Sequence, residues 1–359
     1  MGKIKSFLQR KDIVFSGKRY GIDALGAMAQ GLFCTLLVGT ILNTIGQQFH
    51  IGFLQAILVD LGGGKGTIGD LASAMVGAGI AVAIGSALHA PGLVLFSLIP
   101  VGYAANVMGG AGGPLSVYFV AILACECGKL VSKETKIDIL VTPIVTILVG
   151  IGFAWLVAAP IGKAANAVGQ AIMWATELQP LLMGIVVSVL VGVALTLPIS
   201  SAAICASFGL VGLAGGAAVA GCCAQMVGFA VMSFRENRWG GLVAQGVGTS
   251  MLQMPNIVKN PRIWIPPTLA SAITGPLATC VFKLEMNGAP VSSGMGTCGF
   301  VGQIGIYTGW VNSGHAITAM DWIGLVLICF VLPAVLTWLI SLPLRKWGWI
   351  KENDLKLPL

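Results

Sequence analysis

The chain has 359 residues, of which 56% are hydrophobic and only 9% charged, with a mean hydropathy of +0.92. Soluble domains carry about 25% charged residues, so a soluble fold with a polar shell is excluded. The net charge of +7 does not indicate nucleic-acid binding, because the basic residues sit at the chain ends and in short loops, where they mark membrane topology.

Residues 1–20 form a polar, basic lead with Lys3, Lys5, Arg10, Lys11, Lys18 and Arg19. The lead is too long for a cleavable signal, and residues 4–15 are predicted to lie on the membrane surface as an amphipathic helix. Residues 345–359 carry Arg345, Lys346, Lys351 and Lys356. Positive charge accumulates on the cytoplasmic side, so both termini are expected in the cytoplasm and the number of crossings is expected to be even. Residues 21–344 read as one transmembrane domain between these two segments.

Apolar runs follow near 26–46, 70–87, 89–108, 114–131, 139–160, 180–198, 203–232, 263–282 and 322–343. A crossing takes roughly 20 apolar residues. Between Glu177 and Arg235 the chain carries no charged residue, which is too long for one crossing. The expectation is an all-α polytopic membrane protein of about ten transmembrane helices with broken or re-entrant segments.

Gly62, Gly63, Gly64, Lys65, Gly66 and Thr67 are similar in spelling to a phosphate-binding loop, but Gly66 stands where Ser or Thr must follow the lysine. Nucleotide binding is therefore rejected there. The nine cysteines lie mostly in apolar runs, where cysteine packs as a small soft residue, and their spacings do not form a paired zinc set. No cofactor is expected.

Glycine and proline break the chain at 109–114 (GGAGGP) and at 288–302 (GAPVSSGMGTCGFVG). Such breaks survive at membrane depth only when buried or lining a polar cavity, and transporters use the exposed half-helix ends to bind substrate. Extramembrane turns would read the same way in sequence. His89, in SALHAP between two apolar runs, is a candidate hydrogen-bonding or proton-carrying residue.

The richest polar segment is 244–267, AQGVGTSMLQMPNIVKNPRIWIPP. Gln245, Thr249, Ser250, Gln253, Asn256 and Asn260 supply amides and hydroxyls suited to the hydroxyls of a sugar, and its prolines free backbone carbonyls. Ser292 and Ser293 are candidates for a facing surface. Trp264 offers a stacking face or an interfacial anchor. Lys259 and Arg262 would suit an anionic ligand or mark the cytoplasmic side.

The stretch MPNIVKNPRIWIPPTLAS resembles the LP-x-VLNP-x-x-x-IPF signature of the EIIC membrane components of the phosphoenolpyruvate–sugar phosphotransferase system. The wider run from GCCAQMVGF onward is similar to a divergent EIIC-like group that includes proteins labelled as toxin-production regulators. The resemblance implies a homodimer in the cell inner (cytoplasmic) membrane, in contact with lipid, that carries a sugar or related small molecule by alternating access. It also implies separate phosphocarrier proteins as partners. Where the sugar-transporting members carry Asn-Glu-Pro, this chain reads Gly248, Thr249 and Ser250. The missing carboxylate puts coupled phosphorylation in doubt. The expected function is transport rather than enzymatic turnover, with two alternatives: an EIIC-like sensor that binds without transport, and an ion-coupled carrier of an anionic metabolite.

Overall fold

The computed structural model describes residues 2–60 and 65–357, and most of them are helical. Apart from helices there is one short antiparallel ribbon, Val59–Asp60 against Lys65–Gly66. Residues 61–64 of the glycine-rich run lie outside the described residues. Thr67 caps the helix Ile68–Ala74: its hydroxyl accepts from the Asp70 amide at 3.2 Å, and the Asp70 carboxylate accepts from the Thr67 amide at 3.2 Å. This reciprocal capping box accounts for the polar residues Thr67 and Asp70.

Among the described residues, five helices are long and apolar enough to cross a membrane, and six if the bent pair Ile68–Ala74 and Val76–Ala87, at 52°, counts as one span. One of the five, Gly92–Val131, doubles back. Gly110 takes φ +52°, open only to glycine at low cost, and a 3-10 turn Gly110–Gly112 follows. A Cβ on Gly128 would meet Val94 at 2.9 Å, and one on Gly113 would meet the Asn106 carbonyl at 2.6 Å. The halves Gly92–Gly109 and Gly113–Val131 are thus two antiparallel helices, and the break expected at 109–114 is their turn. Several other apolar runs counted toward ten crossings form shorter or interrupted helices. Pro180–Thr196 has 17 residues, and Ile265–Pro276 passes into a π-turn, Leu277–Val281. The helix Asp138–Thr176 errs the other way: its 39 residues reach about 58 Å at 1.5 Å each, well beyond the roughly 30 Å hydrocarbon core.

The chain gathers into two compact units, Met1–Ala164 and Ala165–Leu359, with the boundary inside that long helix. In the first unit, the N-terminal helix Gly2–Arg10 is tied down by charge. Arg10 and Lys11 pair with Glu134 at 2.7 and 2.5 Å. Lys129, almost wholly buried, pairs with Glu126 at 3.0 Å and donates to the carbonyls of Asp12 and Leu88. A lysine so placed satisfies carbonyls that helix ends leave without partners.

The second unit is built around Gly212–Met232, whose apolar window is 89% buried. Small residues let backbones touch here, as in membrane helix pairs generally. A Cβ on Gly221 would collide with the Ser188 carbonyl. The Ser188 hydroxyl donates to the Ser271 carbonyl at 2.8 Å and that of Ser271 to the Gly221 carbonyl at 3.3 Å. Three helices are thereby stitched at one crossing.

Candidate functional site

The polar segment 244–267 is a broken helix. A π-turn, Ala244–Gly248, ends at Thr249, whose backbone is extended (φ −159°, ψ 142°). A 3-10 turn Ser250–Gln253, a short helix Met254–Lys259 and a second 3-10 turn Pro261–Trp264 follow before Ile265–Pro276 begins. Prolines at 255, 261, 266 and 267 explain the restarts, since each sits where an amide hydrogen is not needed. The segment 288–302 is similarly irregular, with 3-10 turns Pro290–Gly294 and Cys298–Phe300 and left-handed backbone at Gly296, Gly299 and Phe300.

Most of the uncharged polar residues of the two segments are buried. Gln245, Ser250, Gln253 and Ser293 have no exposed surface, and Thr249, Asn256 and Ser292 nearly none. Buried polar groups must find partners, and here they divide into two networks.

The first network holds the C-terminal residues. Gln253 Nε2 donates to Gln245 Oε1 at 2.8 Å and to the Leu355 carbonyl at 3.0 Å. Asn256 Nδ2 donates to Gln253 Oε1 at 2.8 Å and to the Lys356 carbonyl at 3.0 Å. Asn260 Nδ2 donates to the Trp349 carbonyl and to Asp354 Oδ2, both at 2.8 Å. Gln245 Nε2 donates inward to Ser233 Oγ and the Gly241 carbonyl, both at 2.9 Å. Four of the amides picked out by sequence are therefore occupied by protein groups.

The second network surrounds Gln225, a fully buried amide on the central helix. Its Oε1 accepts from Trp264 Nε1 at 2.9 Å and from Thr196 Oγ1 at 3.3 Å. Its Nε2 donates to Thr268 Oγ1 at 3.3 Å. Thr196 Oγ1 also lies 2.8 Å from Ser250 Oγ. Trp264 and Thr268 are half-buried and line a cleft of about 360 Å³ with Val193, Pro261, Ile265 and Leu269. An apolar wall with a few convergent polar groups is the usual form of a small-molecule site. The indole can cover the C–H face of a sugar ring and the Thr268 hydroxyl can bond its hydroxyls, while Gln225 lies behind this wall and holds both side chains.

The remaining candidates lie elsewhere. Thr249 Oγ1 accepts from the Met251 amide at 3.2 Å and caps the 3-10 turn. Ser293 Oγ donates to the Leu210 carbonyl at 2.6 Å, and Ser292 sits in the turn beside it. His89 belongs to the first unit, in a cleft of about 440 Å³ with Arg10, Lys11, Asp12, Lys129 and Lys133. There it takes left-handed backbone at φ +56°, just past the end of Val76–Ala87. Lys259 and Arg262 are exposed, and the Arg262 guanidinium lies over the Trp349 ring at 5.2 Å.

Sequence reasoning missed Thr196, Gln225 and Thr268. Gln225 had a readable signal: an amide alone among apolar residues in a charge-free run needs a buried partner. Thr196 and Thr268 had none, because membrane threonines commonly bond their own helix backbone.

In comparison with protein families, the chain matches the family described as Phosphotransferase system, EIIC over residues 22–357. The chain has no match among curated proteins or solved structures.

Proposed function

Because the chain belongs to the EIIC family of the phosphotransferase system, a family of membrane transport components that are not enzymes on their own, we propose that it carries a hydroxylated small molecule, a sugar or sugar-like metabolite, across the membrane by alternating access. The observation that supports this reading most is the Gln225 network beside the cleft lined by Trp264 and Thr268. At the cleft it presents the neutral Thr268 hydroxyl beside the aromatic face of Trp264, both held from behind by Gln225, which suits hydroxyls better than a charged ligand. The broken segment 244–267 adds support, since interrupted helices are where carriers place their sites.

Gly248, Thr249 and Ser250 stand at the position where the sugar-transporting members are expected to carry Asn-Glu-Pro. Hydroxyls there do not act as a general base near neutral pH. We assign binding and translocation to this chain and phosphoryl delivery, where it occurs, to separate phosphocarrier proteins. In this reading the protein is a homodimer with both termini in the cytoplasm.

The test is uptake of radiolabelled hexoses and hexitols into proteoliposomes, with and without phosphocarrier proteins, for the natural chain and for Gln225→Leu and Thr268→Val. Saturable uptake lost in both variants is the expected result. Saturable binding with no flux under either condition would replace transport with sensing.

A further inference from the structure

The amides of the broken segment do not hold one another alone; they hold main chain. Asn237 Nδ2 donates to the Leu355 carbonyl at 2.7 Å, and the Leu357 amide donates back to Asn237 Oδ1 at 2.8 Å. This two-pronged clasp reads a peptide backbone without regard to side chain. Gln253, Asn256 and Asn260 extend it along the carbonyls of Leu355, Lys356 and Trp349. Between the prongs Lys356 is exposed, and Leu355 and Leu357 on either side of it are buried. Ile350 and Leu355 pack into a core with Phe229, Met232, Ile257 and Ile263, while Lys351, Glu352 and Lys356 face outward. The segment itself is folded into turns, with the Asp354 amide donating to the Lys351 carbonyl at 3.2 Å and Asn353 at φ +68°, and main-chain bonds with buried side chains are how proteins capture peptides generally.

We propose that this groove is a peptide-binding site whose ligand is the protein's own segment 347–357, a detachable strap that closes the polar site. Three observations carry it. The last long helix ends at Lys346, and Gly348, at φ +71° with open space around it, turns the chain back onto the groove. The strap bears four charges, at Lys351, Glu352, Asp354 and Lys356, so it stays soluble when released, unlike the apolar helices before it. Its anchor Gln253 sits in the turn Ser250–Gln253, the same turn that brings Ser250 against Thr196 in the Gln225 network. Release of the strap therefore frees the turn that completes the site. The consequence for transport rests on the function proposed above; the closure itself does not.

The test uses Ser250→Cys as a reporter, with thiol labelling read at that position by peptide mass spectrometry in the purified full chain and in the same chain ended after Lys346. Labelling should rise by at least about ten-fold on removal of the strap, as expected when a protected site opens locally. A synthetic peptide of residues 347–359, added to the shortened chain, should restore protection, and the same peptide carrying Leu355→Asp and Leu357→Asp should not. Should the shortened chain fail to fold, Asn237→Ala with Leu355→Ser in the full chain should raise labelling in the same direction. A folded shortened chain, or that folded double variant, labelling at the parental rate would overturn the proposal. So would a peptide that binds nowhere in the groove. Labelling needs no sugar, so a chain that moves no hexose still answers the question, and the two readings fail separately.

Discussion

Ser250 Oγ and Thr196 Oγ1 stand 2.8 Å apart, joining the end of one apolar helix to a 3-10 turn 54 residues later. Both are fully buried, and Gln225 and the Gly192 carbonyl compete for the single Thr196 hydrogen. Thr196→Val keeps the shape and removes the hydroxyl. It should cost about 1–3 kcal/mol, the penalty for leaving buried partners unmatched, measured as unfolding in detergent. Adding Ser250→Ala should cost less than the sum of the two single changes, by about 0.5–1.5 kcal/mol. Strict additivity would mean that the two hydroxyls do not interact.

Gly221 and Gly152 make a matched pair. A Cβ at Gly221 meets the Ser188 backbone, whereas one at Gly152 meets nothing within 4 Å. Gly221→Ala should therefore destabilise by about 1–3 kcal/mol or more, as overpacking does. Gly152→Ala should be neutral or stabilising, since alanine is the better helix former. Thermal midpoints of the two purified variants check this, and equal midpoints would refute the close crossing of helices at Gly221.

How much of this was legible beforehand depends on the reach of each interaction. The breaks at 109–114, 244–267 and 288–302 were readable because proline and glycine act on their own residues. Burial of Gln245, Gln253 and Asn256 followed from amides in an apolar context. Their partners did not: Gln253 meets Leu355 and Asn256 meets Lys356 about a hundred positions away, and nothing local in either segment encodes that pairing. For the same reason sequence assigned these amides to a ligand, while the structure gives them to the C-terminal main chain. The turn at Gly110 shows the opposite limit, where local composition fixed a break but not whether it was a re-entrant loop or a hairpin.

The N-terminal segment should detach in acid. The Asp12 carboxyl is held below its ordinary range chiefly by the hydrogen bond from Arg19, and Glu134 chiefly by the one from Lys11. A carboxyl whose folded value is depressed stabilises fully above its unfolded value and loses that contribution as pH falls through the folded one. The protection of residues 6–20 against hydrogen exchange, corrected for the intrinsic pH dependence of the exchange rate, should thus be flat from pH 8 to about 5 and fall below about 4, near and under ordinary carboxyl values. His89, Arg10, Lys129 and Lys133 line the same cleft. A midpoint above pH 6 would contradict this account. Glu134→Gln should raise exchange at neutral pH.

Arg345 and Glu236 test whether charge at the base of the strap stabilises or only specifies. Arg345 Nη1 donates to Glu236 Oε1 at 3.1 Å and Nη2 to the Met232 carbonyl at 2.9 Å. The Glu236 side chain is only 3% exposed, and its Oε2 has no partner among the described residues. Arg345→Met strands a buried carboxylate and a carbonyl together and should cost about 3–5 kcal/mol. Pairing it with Glu236→Leu removes the stranded charge and should recover most of that loss, because apolar replacement of a buried ion pair is often neutral. If the double variant unfolds at the same midpoint as the single one, the charge was not the problem. The Met232 carbonyl would then be the contact that matters. A double variant that is stable yet exposes the Ser250→Cys reporter would show the pair acting on direction instead, aiming the helix Leu332–Lys346 so that the residues after it reach Asn237 and Gln253.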